Sequence, residues 1–177
     1  MICLISLPCK MGAILTSEFG LIEVFYGFAE GDSMARTIID FPEEKVFFSY
    51  ELSVRISDEN YFGHLGHDAL VTMIHEARAQ LFIANGFKED DTEGCACIVS
   101  DLSVVYRSEA HFPQKLLVEL AAGDFEIYGC ELYYRVTQAG TNTVVALAKT
   151  GHVFFKGKEA TLQKIPEGFK AMSKVRV

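Results

Sequence analysis

The stretch Val54-Arg55-Ile56-Ser57-Asp58-Glu59-Asn60-Tyr61-Phe62-Gly63-His64-Leu65-Gly66-His67-Asp68-Ala69-Leu70 decides how this chain folds, because two periodicities meet in it. Upstream, from Val46 to Ile56, Phe48, Tyr50, Leu52, Val54 and Ile56 alternate with Ser49, Glu51, Ser53 and Arg55. A period of two with aromatic and β-branched content predicts a half-buried strand. Downstream, Leu70, Met73, Ile74, Ala77, Leu81 and Ala84 recur at three and four residues. That spacing lays one apolar stripe along a helix. Asp68 falls in its first turn, where a carboxylate meets the positive end of the helix dipole. Asn85 and Gly86 suit its C-terminus, so the helix is predicted over residues 67–85. Between the two periods, Asp58 to Gly66 reads as a loop carrying two glycines.

Beyond the helix, Lys88 to Gly94 is polar and acidic, a surface loop. Four strands then follow: Cys95 to Arg107, with Leu102, Val104 and Tyr106 on one face; Gln114 to Ala122; Phe125 to Thr137; and Asn142 to Phe155. Gly123-Asp124 and Gly140-Thr141-Asn142 are the expected hairpin turns. A polar tail follows Gly157, with a short helix expected over residues 166–172. One strand, one long helix and four long strands predict an α+β architecture, the sheet covering the apolar side of the helix.

Residues 1–33 do not share this pattern. The chain is therefore read as an N-terminal extension over residues 1–40 and one domain over residues 41–177, with Met34 as a candidate natural start. Met1 to Leu7 is mostly apolar, but no basic residue precedes it and Lys10 soon interrupts it, which is not a secretory pattern. No later run is long enough to span a membrane. The formal net charge of −8 argues against a nucleic-acid partner, which calls for a basic face. Cys3, Cys9, Cys95, Cys97 and Cys130 are odd in number and contain no C-x-x-C pair. They read as free thiols in a reducing cytoplasm, with no metal site.

The loop and helix resemble those of the hotdog-fold thioesterases, the 4-hydroxybenzoyl-CoA thioesterase-like acyl-CoA thioesterases. The pattern there is R-x-x-D-x-D-x-x-G-H-x-N-N. Arg55, Asp58, Gly63 and His64 stand at matching places, and Glu76-Ala77-Arg78 resembles the helical E-A-R signature. Weaker matches are Tyr106-Arg107-Ser108-Glu109-Ala110, Gly151-His152-Val153-Phe154-Phe155 and Ile165-Pro166-Glu167. The resemblance spans about residues 45–170. It implies a long central helix wrapped by a five- or six-stranded antiparallel sheet. It also implies homodimers joined sheet edge to edge, or dimers of those dimers, with an acyl site at the interface. The implied activity is hydrolysis of an acyl-CoA or acyl-carrier-protein thioester. Coenzyme A would be part of the substrate, and no separate cofactor is implied. Two departures stand out. The second Asp of the pattern is Asn60 here, and the paired Asn are Gly66 and His67. Asn cannot take a proton as a base at neutral pH, but it can hold a water or a carbonyl.

Thioester hydrolysis needs an activated water or nucleophile, a donor for the developing oxyanion and a slot for the acyl group. The helix N-terminus supplies free N–H groups, so the His67 backbone N–H is the candidate oxyanion donor. Gly63 and Gly66 let substrate approach closely; the plainer alternative is that they only make a tight turn. Asp58 is the first candidate base and Asn60 the residue that orients water, sharing a face if the chain stays extended. The alternative for Asp58 is a cap on backbone N–H groups, and Glu59 is expected to point away into solvent. His64 is a candidate donor to the carbonyl, or a structural ring that shapes the loop. Asp68 is a helix-dipole partner at the substrate site. Glu76 stands where some hotdog enzymes place a catalytic carboxylate, although with His75 and Arg78 it also fits a solvated ion-paired face. Tyr61, with Phe47, Phe62, Phe82 and Phe112, is a candidate wall for an acyl tunnel, though such aromatics are more often core. Lys149, Lys156 and Lys158 are weak candidates for coenzyme A phosphates. Two other functions compete: a non-catalytic acyl-thioester-binding protein, favoured by Asn60, and a hydratase or dehydratase, which needs an Asp/His pair at a spacing not found here.

Overall fold

The computed structural model describes residues 37–157 and 160–173. The readings placed on residues 1–33, on Met34 and on Lys158 fall outside the described residues. Strand β1 (Val46–Ser53) leads through a 3-10 turn (Ile56–Asp58) to helix α1 (His67–Ala84). Strands β2 (Ala96–Tyr106), β3 (Lys115–Phe125), β4 (Gly129–Gln138) and β5 (Val144–Lys156) follow. Short strand β6 (Thr161–Gln163) and helix α2 (Glu167–Met172) end the described chain. All strand pairs are antiparallel, in the order β1-β3-β4-β5-β2. β6 joins β5 along Phe154 to Lys156, beyond the last pairing of β4 with β5 at Gly129–Val153. The expected five or six strands and single long helix are therefore present.

Two strand ends and one strand register depart from the sequence reading in ways that matter for the site. β1 stops at Ser53, and Ile56 leaves the alternation to sit 68% exposed in the 3-10 turn. β3 runs through Gly123-Asp124 instead of turning there. The glycine marks an irregularity in the β3–β4 ladder, between Ala122 and Phe125. A Cβ on Gly123 would lie 3.0 Å from the Glu131 carbonyl oxygen, so close strand approach demands glycine. β2 carries a bulge at Ser100, because Val99 pairs with His152 and Asp101 with Gly151. The bulge switches the inward face from odd to even residues. Cys97, Val99, Leu102, Val104 and Tyr106 consequently all lie on the side of the sheet that faces α1.

The core forms between that side and the buried stripe of α1, where Leu70, Ile74, Ala77 and Leu81 meet Leu116, Val118, Leu120, Leu132 and Val136. α1 packs chiefly over β1 and β3. Among the described residues no strand pairs with the outer edge of β2, and Val99, Leu102 and Tyr106 are 38%, 41% and 53% exposed there. Among the described residues, no helix is long and apolar enough to cross a membrane.

A chain of polar groups runs through this core. Arg78, on α1 and buried, donates through Nε to Glu89 Oε1, and it reaches the Tyr134 hydroxyl. Tyr134 Oη is 3.0 Å from Thr150 Oγ1, which is 2.7 Å from His152 Nε2. His152 Nδ1 lies 3.4 Å from Cys97 Sγ. Burial, and then the Arg78 charge, lowers the His152 pKa to about 3, while burial pushes the Cys97 thiol up and the Cys130 thiol up to about 12. These thiols are unreactive as nucleophiles. His152 is neutral in the fold but titrates near 6.5 once unfolded. Below pH 6.5 the unfolded chain binds the extra proton, so stability falls as pH drops from about 6.5 toward 3. By pH 5 this one group removes about 2 kcal/mol. Urea unfolding at pH 7 and pH 5 checks this. His152→Asn should lose about 2 kcal/mol less than the wild type over that interval; equal losses would refute it.

Candidate active site

Two clefts flank the start of α1. The first, of about 360 Å3, has Leu65, Leu70 and Val145 as apolar lining. Asn60, His64, His67 and Tyr106 line it too, with Arg107, Ser108 and Glu109. The second, of about 260 Å3, holds Asp58, Asp68 and Glu76 with Arg55 and Thr72. The sequence-predicted site residues are thus divided between two sides of one helix end.

The division follows from the 3-10 turn. It ends the extended run that would have put Asp58 and Asn60 on one face, so that expectation is corrected. Asp58 Oδ2 accepts the Arg55 backbone N–H at 2.8 Å, and Ser57 Oγ lies 3.4 Å from Oδ1. This is the capping role weighed above for Asp58. Asp58 O also accepts the Gly66 N–H at 2.8 Å, which brings the two ends of the loop together. Glu59 is not solvated as expected. It is half-buried, and its Oε1 accepts the Phe112 N–H at 2.9 Å.

Asn60 organises the loop tip. Its Oδ1 accepts the Phe62 N–H at 2.8 Å, its backbone N–H donates to His64 O at 2.9 Å, and its carbonyl accepts the Gly63 N–H at 3.0 Å. Gly63, at φ +73°, supplies the left-handed residue this turn requires. With Oδ1 committed, the Nδ2 end of Asn60 lies 3.3 Å from His64 Nδ1. That nitrogen is also 3.2 Å from Leu65 O. The two contacts ask opposite things of it. Protonated at Nδ1, the ring donates to Leu65 O and keeps a lone pair on Nε2. Protonated at Nε2, it accepts from Asn60. Either way Nδ1 is held, and Nε2 is the nitrogen left to exchange a proton.

Gly66 is the N-cap of α1 and brings no side-chain acceptor, so the first turn keeps donors for a ligand. A Cβ on Gly66 would run into Asp68 Oδ1 at 2.5 Å. The Asp68 carboxylate thus lies against the N-cap. Burial, with the Asp68 charge added to it, raises the Tyr106 phenol above its ordinary pKa, and the hydroxyl stays a donor at neutral pH.

A family model described as the thioesterase-like superfamily matches residues 54–172. The chain belongs to that superfamily. No curated protein matches it. Among solved structures it is similar to a 1,4-dihydroxy-2-naphthoyl-CoA thioesterase from Synechocystis, at 22% identity over 71% of this chain and 94% of that one, with a TM-score of 0.65. A putative thioesterase from Pseudomonas aeruginosa matches at 19% identity over 71% and 97%, with a TM-score of 0.67. A DHNA-CoA thioesterase from Staphylococcus aureus matches at 20% over 71% and 88%, with a TM-score of 0.62. At these identities the likeness shows the hotdog fold. Thioester hydrolysis is supported for this superfamily member at the level of the family.

Other expectations for this superfamily chain are corrected by packing. The aromatic set does not form one wall. Phe47 and Phe82 are core residues, Phe82 packing on Phe169 at 5.7 Å, whereas Tyr61 and Phe62 are 106% and 86% exposed. Phe62 instead stacks on the His64 ring, with centroids 6.1 Å apart. Lys149 is engaged by Glu131 at 2.6 Å. Among the described residues no group of three His, Cys, Asp or Glu side chains gathers as a metal site. The sequence reading missed Tyr106, Ser108, Glu109 and Val145 as cleft residues. Tyr106, Ser108 and Glu109 appeared there in a weak part of the family resemblance, and Tyr106 also on a predicted strand face, but none as a site residue. They come from β2 and its exit, some forty residues past the loop, and tertiary structure alone brings them to it.

Proposed function

We propose that this chain hydrolyses the thioester of an acyl-CoA or acyl carrier protein to a free acid and a thiol, with no further cofactor. The observation that carries this reading is the first cleft, which puts Asn60, His64 and the start of α1 around one apolar pocket beside the outer β2 edge. The thioester carbonyl lies against the His67 backbone N–H, where the helix dipole stabilises the developing oxyanion. Gly63 and Gly66 leave room for it. Asn60 and His64 hold the attacking water. His64 Nε2, in the tautomer that donates Nδ1–H to Leu65 O, takes the water proton as the oxygen bonds to the acyl carbon. The C–S bond then breaks, and the proton passes to the departing thiolate. Asp58, Asp68 and Glu76, in the second cleft, are not assigned to this water. The apolar side chains along the β2 edge support a homodimer joined there, alone or as half of a dimer of dimers.

The test is thiol release from a panel of short, long and aromatic acyl-CoAs and carrier-protein thioesters. Turnover of at least one is expected, with loss in His64→Ala while folding is kept. Asn60 in place of the pattern's Asp favours one second reading, a protein that binds acyl thioesters without cleaving them. Retention of acyl-CoA with no thiol released from any substrate would establish that reading instead.

A further inference from the structure

The loop that carries Asn60 and His64 is not held by its own bonds alone. The segment leaving β2 grips it at three points. The Leu65 N–H donates to Ala110 O at 2.7 Å, the Phe112 N–H donates to Glu59 Oε1 at 2.9 Å, and His111 Nδ1 lies 2.8 Å from Gly63 O. Only the last bond is made by a side chain of the gripping segment, and it acts at the loop tip between Asn60 and His64. A carbonyl oxygen can only accept, so Nδ1 of His111 carries the proton. His111 is itself fixed: its backbone N–H donates to Gln114 Oε1 at 2.8 Å, and its carbonyl accepts the Gln114 N–H at 2.8 Å. Its Nε2 lies 3.6 Å from Glu109, a residue that lines the first cleft.

We propose that His111 is a positioning residue: by bonding the Gly63 carbonyl it holds the tip of the 59–65 loop in the geometry that aims Asn60 and His64 into the cleft. It touches no substrate. The part of this inference that concerns catalysis rests on the thioesterase reading; the part that concerns loop order does not. Removing the bond frees the Gly63 peptide plane, which lies one residue before His64. Displacement of about 1 Å at a reacting group can cost about 100-fold in rate.

The experiment compares wild type, His111→Asn and His111→Leu. The Asn amide nitrogen superposes on the imidazole Nδ1 and can still donate to Gly63 O, whereas Leu cannot. With an acyl-CoA that the wild type cleaves, His111→Leu is expected to lose about 10- to 100-fold in kcat with KM little changed. His111→Asn should stay within a few fold of wild type. Amide hydrogen exchange of residues 60–65 should rise several-fold in His111→Leu and not in His111→Asn, with the urea midpoint of unfolding held near wild type. Wild-type kcat in His111→Leu, or equal losses in both variants, would overturn the catalytic role. Unchanged loop exchange in His111→Leu would overturn the positioning role. If the wild type cleaves no thioester, the thioesterase reading fails, and the exchange measurement still decides whether His111 orders the loop.

Discussion

Asn60→Ala should lower thiol release about 100- to 1000-fold, the range for losing one preorganised polar group at an acyl-transfer site. The substitution removes the Oδ1 acceptor for the Phe62 N–H, which sets the loop tip, and with it the amide group proposed to hold the attacking water. The backbone bonds of Asn60 to His64 O and from Gly63 N–H remain, so the loop keeps its course and stability changes by about 1 kcal/mol or less. Asn60→Asp is the informative companion. One carboxylate oxygen can still cap Phe62, and the other then faces His64 Nδ1 where the amide nitrogen stood. That oxygen demands the Nδ1–H tautomer, which leaves Nε2 free to accept a proton and puts a carboxylate in the cleft. Turnover in Asn60→Asp should equal or exceed wild type. Steady-state thiol release from purified variants measures both effects. Wild-type turnover in Asn60→Ala would sink the assignment of the first cleft as the site of hydrolysis.

Arg78→Met should destabilise the fold by about 3 kcal/mol, the lower end of the cost of stripping one partner from a buried ion pair. The lower end applies because the Glu89 side chain is 25% exposed and can recover some hydration, whereas that of Arg78 is 8% exposed. Burial pulls the Arg78 pKa down, but Tyr134 and Glu89 raise it more, and the guanidinium stays charged. Met fills much of the volume, so the loss reports the orphaned carboxylate more than a cavity. Glu89 also holds His75 Nε2 at 2.9 Å, which ties the 88–95 turn to α1. Arg78→Met combined with Glu89→Gln should recover at least 1 kcal/mol of the single-variant loss, since no buried charge is then left unpaired. Urea unfolding of the two singles and the double decides the point. Additive losses would show that Glu89 is not the partner whose isolation costs energy.

Local periodicity exposed the elements wherever one face was buried against one neighbour. The alternation from Phe48 to Leu52 and the stripe from Leu70 to Leu81 both answer to the same packed core, so β1 and α1 lie close to where they were expected. The reading failed where an extra residue or a tight turn breaks the alternation. Ile56 keeps the parity of the strand but belongs to a 3-10 turn, and Gly123 looks like a hairpin residue but allows the close approach of β3 to β4. The bulge at Ser100 gives no signal in the side chains around it; only the β5 partner reveals the slip in register.

The amino-acid sequence by itself determined the α+β architecture, the long helix and the glycine-bearing loop before it. Hydrophobic spacing and turn chemistry are local properties that read directly along the chain. The resemblance in residues 54–78 also carried the family. Tertiary structure alone decided which candidate residues meet. It sent Asp58 and Glu76 to one side of the start of α1, kept Asn60 and His64 on the other, and brought Tyr106 and Glu109 to them from the exit of β2. The physical reason is that side-chain direction through a turn depends on which backbone groups satisfy one another. Here those partners are Arg55 with Asp58, Leu65 with Ala110 and Gly63 with His111, and all but the first lie far apart in sequence.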